Sequence, residues 1–159
     1  MRRARAYLLS LGSNVDPDRW VPHAVDLLAA RFELVAVSPS YDVGAVGAPG
    51  APRFVNLAAH IRTDLPPRAL RAACRHVEAL CERIRTDDRN APRTLDLDVV
   101  YADGDPGSAD PDLLHEAYVL VPCADIWPEA PIGGGDATLA SEAAQRFPGW
   151  GETRRMEDA

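Results

Sequence analysis

The residues best able to do chemistry lie between positions 78 and 98. Four arginines, Arg83, Arg85, Arg89 and Arg93, lead into the run Thr94-Leu95-Asp96-Leu97-Asp98. Read as a strand, this run alternates between two faces, so Asp96 and Asp98 project on one side and Leu95, Leu97 and Val99 on the other. Two carboxylates side by side on a rigid strand repel each other unless a cation lies between them. A hard divalent ion such as Mg²⁺ suits, because it takes one or two carboxylates and completes its shell with water and phosphate oxygens. Guanidinium groups favour phosphate through forked, charge-assisted hydrogen bonds. Carboxylates for a metal beside arginines for phosphate are the equipment of phosphoryl transfer, where catalysis is largely positioning and charge neutralisation. By itself the charge pattern also fits a solvated loop ending in two water-facing aspartates.

The elements that must position these groups follow from hydrophobic spacing. Residues 6–11 read as a buried strand, closed by Gly12-Ser13-Asn14 as a plain turn without chemistry of its own. Asp16-Pro17 then starts a helix, with Asp16 as cap, Pro17 in first position and Val21, Val25, Leu28 and Ala29 at helical spacing. Residues 32–38 read as a second strand and 40–53 as a long Gly/Pro/Ala loop, a length that in a compact domain often serves function. A third strand over 54–61 puts Phe54 and Asn56 on one face. Pro66-Pro67 opens a second helix whose apolar stripe is Leu70, Cys74, Val77, Cys81 and Ile84. Glu78 and Arg85, seven apart and off that stripe, can share its other face near the end. The Asp-Leu-Asp run is the fourth strand.

Strand, helix, strand, strand, helix, strand predicts a ferredoxin-like α+β sandwich: a mainly antiparallel sheet with helices packed on it. Beyond Asp103 the chain is rich in Gly, Pro and Asp. There, 118–122 reads as a short strand, 139–147 as a terminal helix, and residues after Trp150 as frayed.

At 159 residues and 47% hydrophobic content, the chain is read as one domain, 1–159, with a single sizeable core. A formal net charge of −7 argues against general affinity for nucleic acid or anionic membrane, though a local arginine cluster can still bind one nucleotide. Three cysteines make no disulfide framework, and Cys74 and Cys81 read as small core residues. The basic N-terminus is followed by no signal-type core, and no run is long enough to span a bilayer, so a cytoplasmic location follows by default; a monomer is expected. Asp103-Gly104-Asp105 lacks the glycine and closing glutamate spacing of a calcium loop. An RNA-binding sheet needs exposed aromatics in a basic setting, whereas the central strand offers aspartates in an acidic chain.

Arg83-x-Arg85, Arg89 and the ungapped Pro92-Arg93-Thr94-Leu95-Asp96-Leu97-Asp98 resemble the signature of the 6-hydroxymethyl-7,8-dihydropterin pyrophosphokinase family of folate biosynthesis. The likeness extends from Tyr7 to Pro131. It implies transfer of pyrophosphate from ATP to the pterin's hydroxymethyl group, releasing AMP, with two Mg²⁺ ions on Asp96 and Asp98. Asp98, Arg83 and Arg93 take the catalytic positions, and Glu78, Arg83, Arg85, Arg89 and Arg93 the ATP-binding ones, with Glu78 orienting the arginines or meeting the nucleotide's surroundings. Phe54 and Tyr118 match the two aromatic positions that sandwich the pterin. Asn56 matches the asparagine at the pterin's edge, and Val43 and Val46 fall on the same substrate wall. Partners are then small molecules only.

The family's usual Thr-Pro, Trp-Gly and Pro-His-Pro appear as Val43-Gly44, Asn90-Ala91 and Ala109-Asp110-Pro111, and Glu116 aligns with an arginine. These departures predict a loosened or altered acceptor site. The alternatives are a paralogue acting on another hydroxymethyl heterocycle and a non-catalytic pterin or nucleotide binder.

Overall fold

The computed structural model describes residues 3–44, 53–88, 91–105 and 109–157. Its elements run β1 (Arg5–Ser13), α1 (Pro17–Arg31), β2 (Glu33–Val37), β3 (Tyr41–Gly44), β4 (Phe54–Thr63), α2 (Pro67–Leu80), β5 (Asp96–Ala102), α3 (Asp112–His115), α4 (Ala117–Ile126) and α5 (Leu139–Arg146). The five strands form one antiparallel sheet in the order β2-β4-β1-β5, with β3 also paired to β4. By register, β2 and β3 lie end to end along one edge of β4, and the Ser38 hydroxyl bridges the break by accepting from Ala58 N at 2.8 Å. The sheet order and the helix positions are those of the ferredoxin-like α+β sandwich.

Period-two alternation sorts the sheet into two faces. Tyr7, Leu9 and Leu11 of β1 join Val55, Leu57 and Ile61 of β4, Leu95, and Leu97 of β5 in a core with α1 and α2. Leu8, Ala58 and Val100 face the other way, where Leu120 and Cys123 of α4 and Leu139 of α5 cover them. Covered on both sides, β1 must be apolar nearly throughout, and it is buried at almost every position. Each fully buried leucine contributes about 2 kcal/mol by removing apolar area from water. The α4 side covers only part of its face. Ser10 and Gly12, continuing the Leu8 row, stay open to a cavity.

Several expectations need correction. The run 118–122 is not a strand but part of α4. A short, wholly apolar stretch carries no period to separate strand from helix, and packing on two sides decides for the helix. The 40–53 stretch contains β3, whose pairing with β4 outweighs its glycine. Gly12 and Ser13 belong to β1 rather than to a turn. Asp16 stands at the N-cap of α1, but its side chain makes no capping bond, and its backbone is left-handed (φ 46°).

Ile84 is not in the core stripe: it is 79% exposed. The helix stops before it, at a left-handed Glu82 (φ 60°), where Arg83 N bonds Glu78 O at 3.1 Å and Glu82 N bonds Ala79 O at 3.0 Å. That pairing is a Schellman stop, here without the usual glycine. Nor is the chain frayed over 151–157. Asp42 N bonds Arg154 O and Met156 N bonds Ser40 O, each at 2.8 Å, so this segment lies along the outer edge of β3.

Candidate active site

The site begins with β5. Asp96 and Asp98 sit on the face away from Leu95 and Leu97, as the alternation requires, and register places Asp96 opposite Gly12 and Asp98 opposite Ser10. Val100 is then left unpaired, since Leu8 opposes Tyr101 and Leu9 opposes Val99. This bulge turns Tyr101 toward the α4 side and ends the acidic row.

Two cavities meet on these carboxylates. One, of about 560 Å³, is lined by Val43, Gly44, Phe54, Asn56, Tyr118 and Val119 and reaches Arg93, Asp96 and Asp98. The other, of about 350 Å³, is lined by Arg75, Arg83, Arg85 and Arg93 and ends on the same two aspartates. The first suits a flat heterocycle with a polar edge, the second a polyanion.

Glu78 organises the second cavity from beneath. It is 2% exposed and lines neither cavity. Its Oε1 accepts from Arg75 at 2.9 Å and Arg85 at 2.8 Å, and its Oε2 from Arg83 at 3.1 Å and the Leu97 N–H at 2.9 Å. A buried carboxylate is tolerated because it is paired this fully. Arg83 Nη1 also donates to Leu95 O and Asp96 Oδ1, both at 3.0 Å, while its buried Nε has no protein partner among the described residues. Arg93 approaches Asp96 Oδ2 at 3.5 Å and borders both cavities. Its peptide is fixed by Asn14, whose Oδ1 accepts from Arg93 N at 2.7 Å and whose N–H donates to Arg93 O at 3.1 Å.

Partial burial, and after it the charge of Asp96, push the Asp98 carboxyl up to about 6, against the opposing pull of Arg75. A pair strained in this way accepts a cation readily. Its hard oxygen donors, with room on the cavity side for phosphate oxygens, fit Mg²⁺. The fit is to an ion that takes few protein ligands, since no cluster of three acidic or imidazole groups occurs among the described residues.

The structure therefore brings together Asp96, Asp98, Arg83, Arg85, Arg93, Val43, Phe54, Asn56 and Tyr118, with Glu78 behind them. Tyr118 reaches the cavity from the first turn of α4 rather than from a strand. Val46, Arg89 and Asn90 lie outside the described residues. Asp110 lines the first cavity, whereas Glu116 lines neither and serves as the N-terminal boundary of α4.

The sequence reading misses Arg75, Gly12 and Asn14. Arg75 stands three before Glu78 on α2 and touches Asp98 at 3.5 Å. That spacing is a signal available in sequence. At Gly12 a side chain would meet Phe54 Cε1 at 2.6 Å and Asn56 Oδ1 at 2.9 Å, so the missing Cβ is what lets the Phe54 ring lie over the sheet. No local pattern announces that.

The family described as 7,8-dihydro-6-hydroxymethylpterin-pyrophosphokinase matches residues 8–128. The chain belongs to this pyrophosphokinase family. A 2-amino-4-hydroxy-6-hydroxymethyldihydropteridine pyrophosphokinase of Methylorubrum extorquens is 37% identical over 139 residues, covering 82% of this chain and 87% of the relative. One of the same description from Pseudomonas aeruginosa is 35% identical, covering 91% of this chain and 98% of the relative. Among solved structures, the Plasmodium falciparum HPPK-DHPS with pteroate superposes with a TM-score of 0.67 at 11% identity, over 96% of this chain. The chain spans 44% of that longer protein, and the likeness speaks to fold. The match over 8–128 spans the candidate site residues carried by the resemblance, from Val43 in β3 to Tyr118 in α4. The segment on the outer edge of β3 lies beyond it.

Proposed function

We propose that the chain transfers the pyrophosphoryl group of ATP to the hydroxymethyl oxygen of 6-hydroxymethyl-7,8-dihydropterin, with release of AMP. One observation carries the reading: an aromatic- and amide-lined cavity and an arginine-lined cavity share the Asp96–Asp98 pair as their common wall. An acceptor in the first and a triphosphate in the second would meet there. Phe54 and Tyr118 supply ring faces for the pterin and Asn56 reads its polar edge, while Val43 closes the wall. Arg85 and Arg93 bind phosphate oxygens, and Arg83 holds Asp96 in place while offering its remaining donors. Glu78 keeps the guanidinium groups aimed.

Asp96 and Asp98 are the residues that would hold Mg²⁺, two ions in this reading. Metal held there would neutralise triphosphate charge and lower the pKa of the acceptor hydroxyl. Asp98, which borders both cavities, would take the hydroxyl proton as the oxygen attacks. The working unit is taken as a monomer with small-molecule substrates.

Incubation of the protein with ATP, Mg²⁺ and the hydroxymethyl-dihydropterin tests this. AMP and pterin diphosphate are expected in equal amounts. Release of ADP, or AMP without pterin diphosphate, would overturn the assignment.

A further inference from the structure

A row of paired residues crosses the sheet at the level of the site. Tyr41 pairs with Asn56, Asn56 with Gly12, and Gly12 with Asp96. Tyr41 is thus the outer end of the row that carries the acceptor's amide and a metal carboxylate. It belongs to β3, a strand of four residues that joins the named strands only through β4. So short a strand is marginal by itself. Its last residues, Val43 and Gly44, line the acceptor cavity.

The outer edge of β3 is not left open. Arg155 bridges Tyr41 in antiparallel fashion, flanked by the bonds from Asp42 N to Arg154 O and from Met156 N to Ser40 O. Side chains fasten the same place. The wholly buried Tyr41 donates its hydroxyl proton to Asp125 of α4 and accepts from Arg155 Nη2 at 3.2 Å. Arg155 and Asp125 lie 3.6 Å apart, and the Trp150 ring stands 5.5 Å from that of Tyr41. A Cβ at Gly151 would come within 3.0 Å of Tyr41 Cε1, so the segment rests directly on the ring.

We infer that residues 151–156 are a positioning strap for the acceptor wall: by pairing with the outer edge of β3, they hold Val43 and Gly44 in place against the bound heterocycle without touching it. The inference rests on the acceptor reading of that cavity. It makes a particular demand, because no residue of β3 lines the arginine cavity. Loosening the strap should weaken acceptor binding and spare the nucleotide, a split that general loss of stability would not produce.

The test is calorimetric titration of a non-hydrolysable ATP analogue with Mg²⁺, then of the hydroxymethyl-dihydropterin. It compares the unchanged protein with Met156→Pro, which deletes the N–H given to Ser40, and with Tyr41→Phe, which keeps the ring and loses the latch to Asp125. Met156→Pro removes one hydrogen bond and Tyr41→Phe the two made by the hydroxyl, so the double variant should lose about tenfold or more in pterin affinity, with ATP-analogue affinity held within about twofold. Tyr41→Phe, the gentler change, decides the matter by itself if Met156→Pro does not fold, with a rise of about threefold in the pterin Kd. Unchanged pterin affinity in the variants, or equal losses for both ligands, overturns the strap. Failure of the unchanged protein to bind the pterin overturns the functional reading, and the inference falls with it.

Discussion

At the scale of single residues, the proposed function separates groups that act from groups that aim. Asp98 is half exposed, faces Asp96 and carries a carboxyl raised by burial, so its charge stabilises little in the free protein. Asp98→Asn should therefore keep or raise the melting temperature while turnover falls on the order of 10²-fold or more, since the proposed metal and proton position is lost. Near-normal Mg²⁺-dependent turnover in that variant would remove Asp98 from the mechanism. Glu78 behaves oppositely. It is buried under Arg75, Arg83 and Arg85 and also accepts the Leu97 N–H. Glu78→Ala strands these donors, and loss of one buried partner of this kind costs roughly 3–5 kcal/mol. Urea unfolding should show that loss, with activity falling as the arginines lose their aim; a variant as stable as the parent would deny Glu78 its role.

At the scale of elements, two backbone features set what the strands and helices can present. Gly12 in β1 leaves the space into which Phe54 of β4 leans. Gly12→Ala should displace that ring and weaken pterin binding, with the ATP analogue little affected because the arginine cavity excludes Gly12. Equal pterin affinity in Gly12→Ala would mean that Phe54 is not a contact face. The end of α2 rests on Glu82 in the left-handed region, a conformation costing a residue with a Cβ roughly 1–2 kcal/mol. Its ion pair with Arg19, at 3.7 Å between exposed groups, is worth little. Glu82→Gly should therefore stabilise the protein by up to about 1 kcal/mol after the extra chain entropy of glycine is subtracted, read as a higher denaturation midpoint. The reverse sign would show that the exposed pair matters more than the strain.

At the scale of the molecule, the sheet is shared by two cores, and the α4 side holds a titratable group. His60 of β4 stacks on Trp127 with centroids 4.6 Å apart, and its buried Nε2 has no hydrogen-bond partner among the described residues. Burial, assisted by Arg62, lowers its pKa from the ordinary histidine value. A lowered histidine pKa means that the unfolded chain binds more protons than the folded one below about pH 6.5, so stability falls as pH drops through that window and levels off below the folded pKa. His60→Phe keeps a ring against Trp127 and removes both the unsatisfied nitrogen and the titration. Its melting temperature should exceed the parent's, by a margin that widens from pH 7 toward pH 5. A constant margin would assign the acid sensitivity to other groups.

What the sequence determined by itself was chemistry borne on local periodicity. The alternation of Thr94–Asp98 puts both aspartates on one face without help from the rest of the fold, and the arginines are adjacent in the chain. The order of strands and helices follows from the same patterns, and with it the ferredoxin-like sandwich. The tertiary structure alone decided what depends on neighbours distant in sequence. Tyr118 reaches the cavity from a helix because a wholly apolar run takes its form from what packs around it. Ile84 leaves the core because the helix stops one turn early. Gly12 acquires its importance only when Phe54 lies across it, 42 positions later in the chain, and 151–156 only where it meets the edge of β3. Local spacing records which face a residue takes; which residue waits on the other side is set by register and packing, and these exist only in the folded chain.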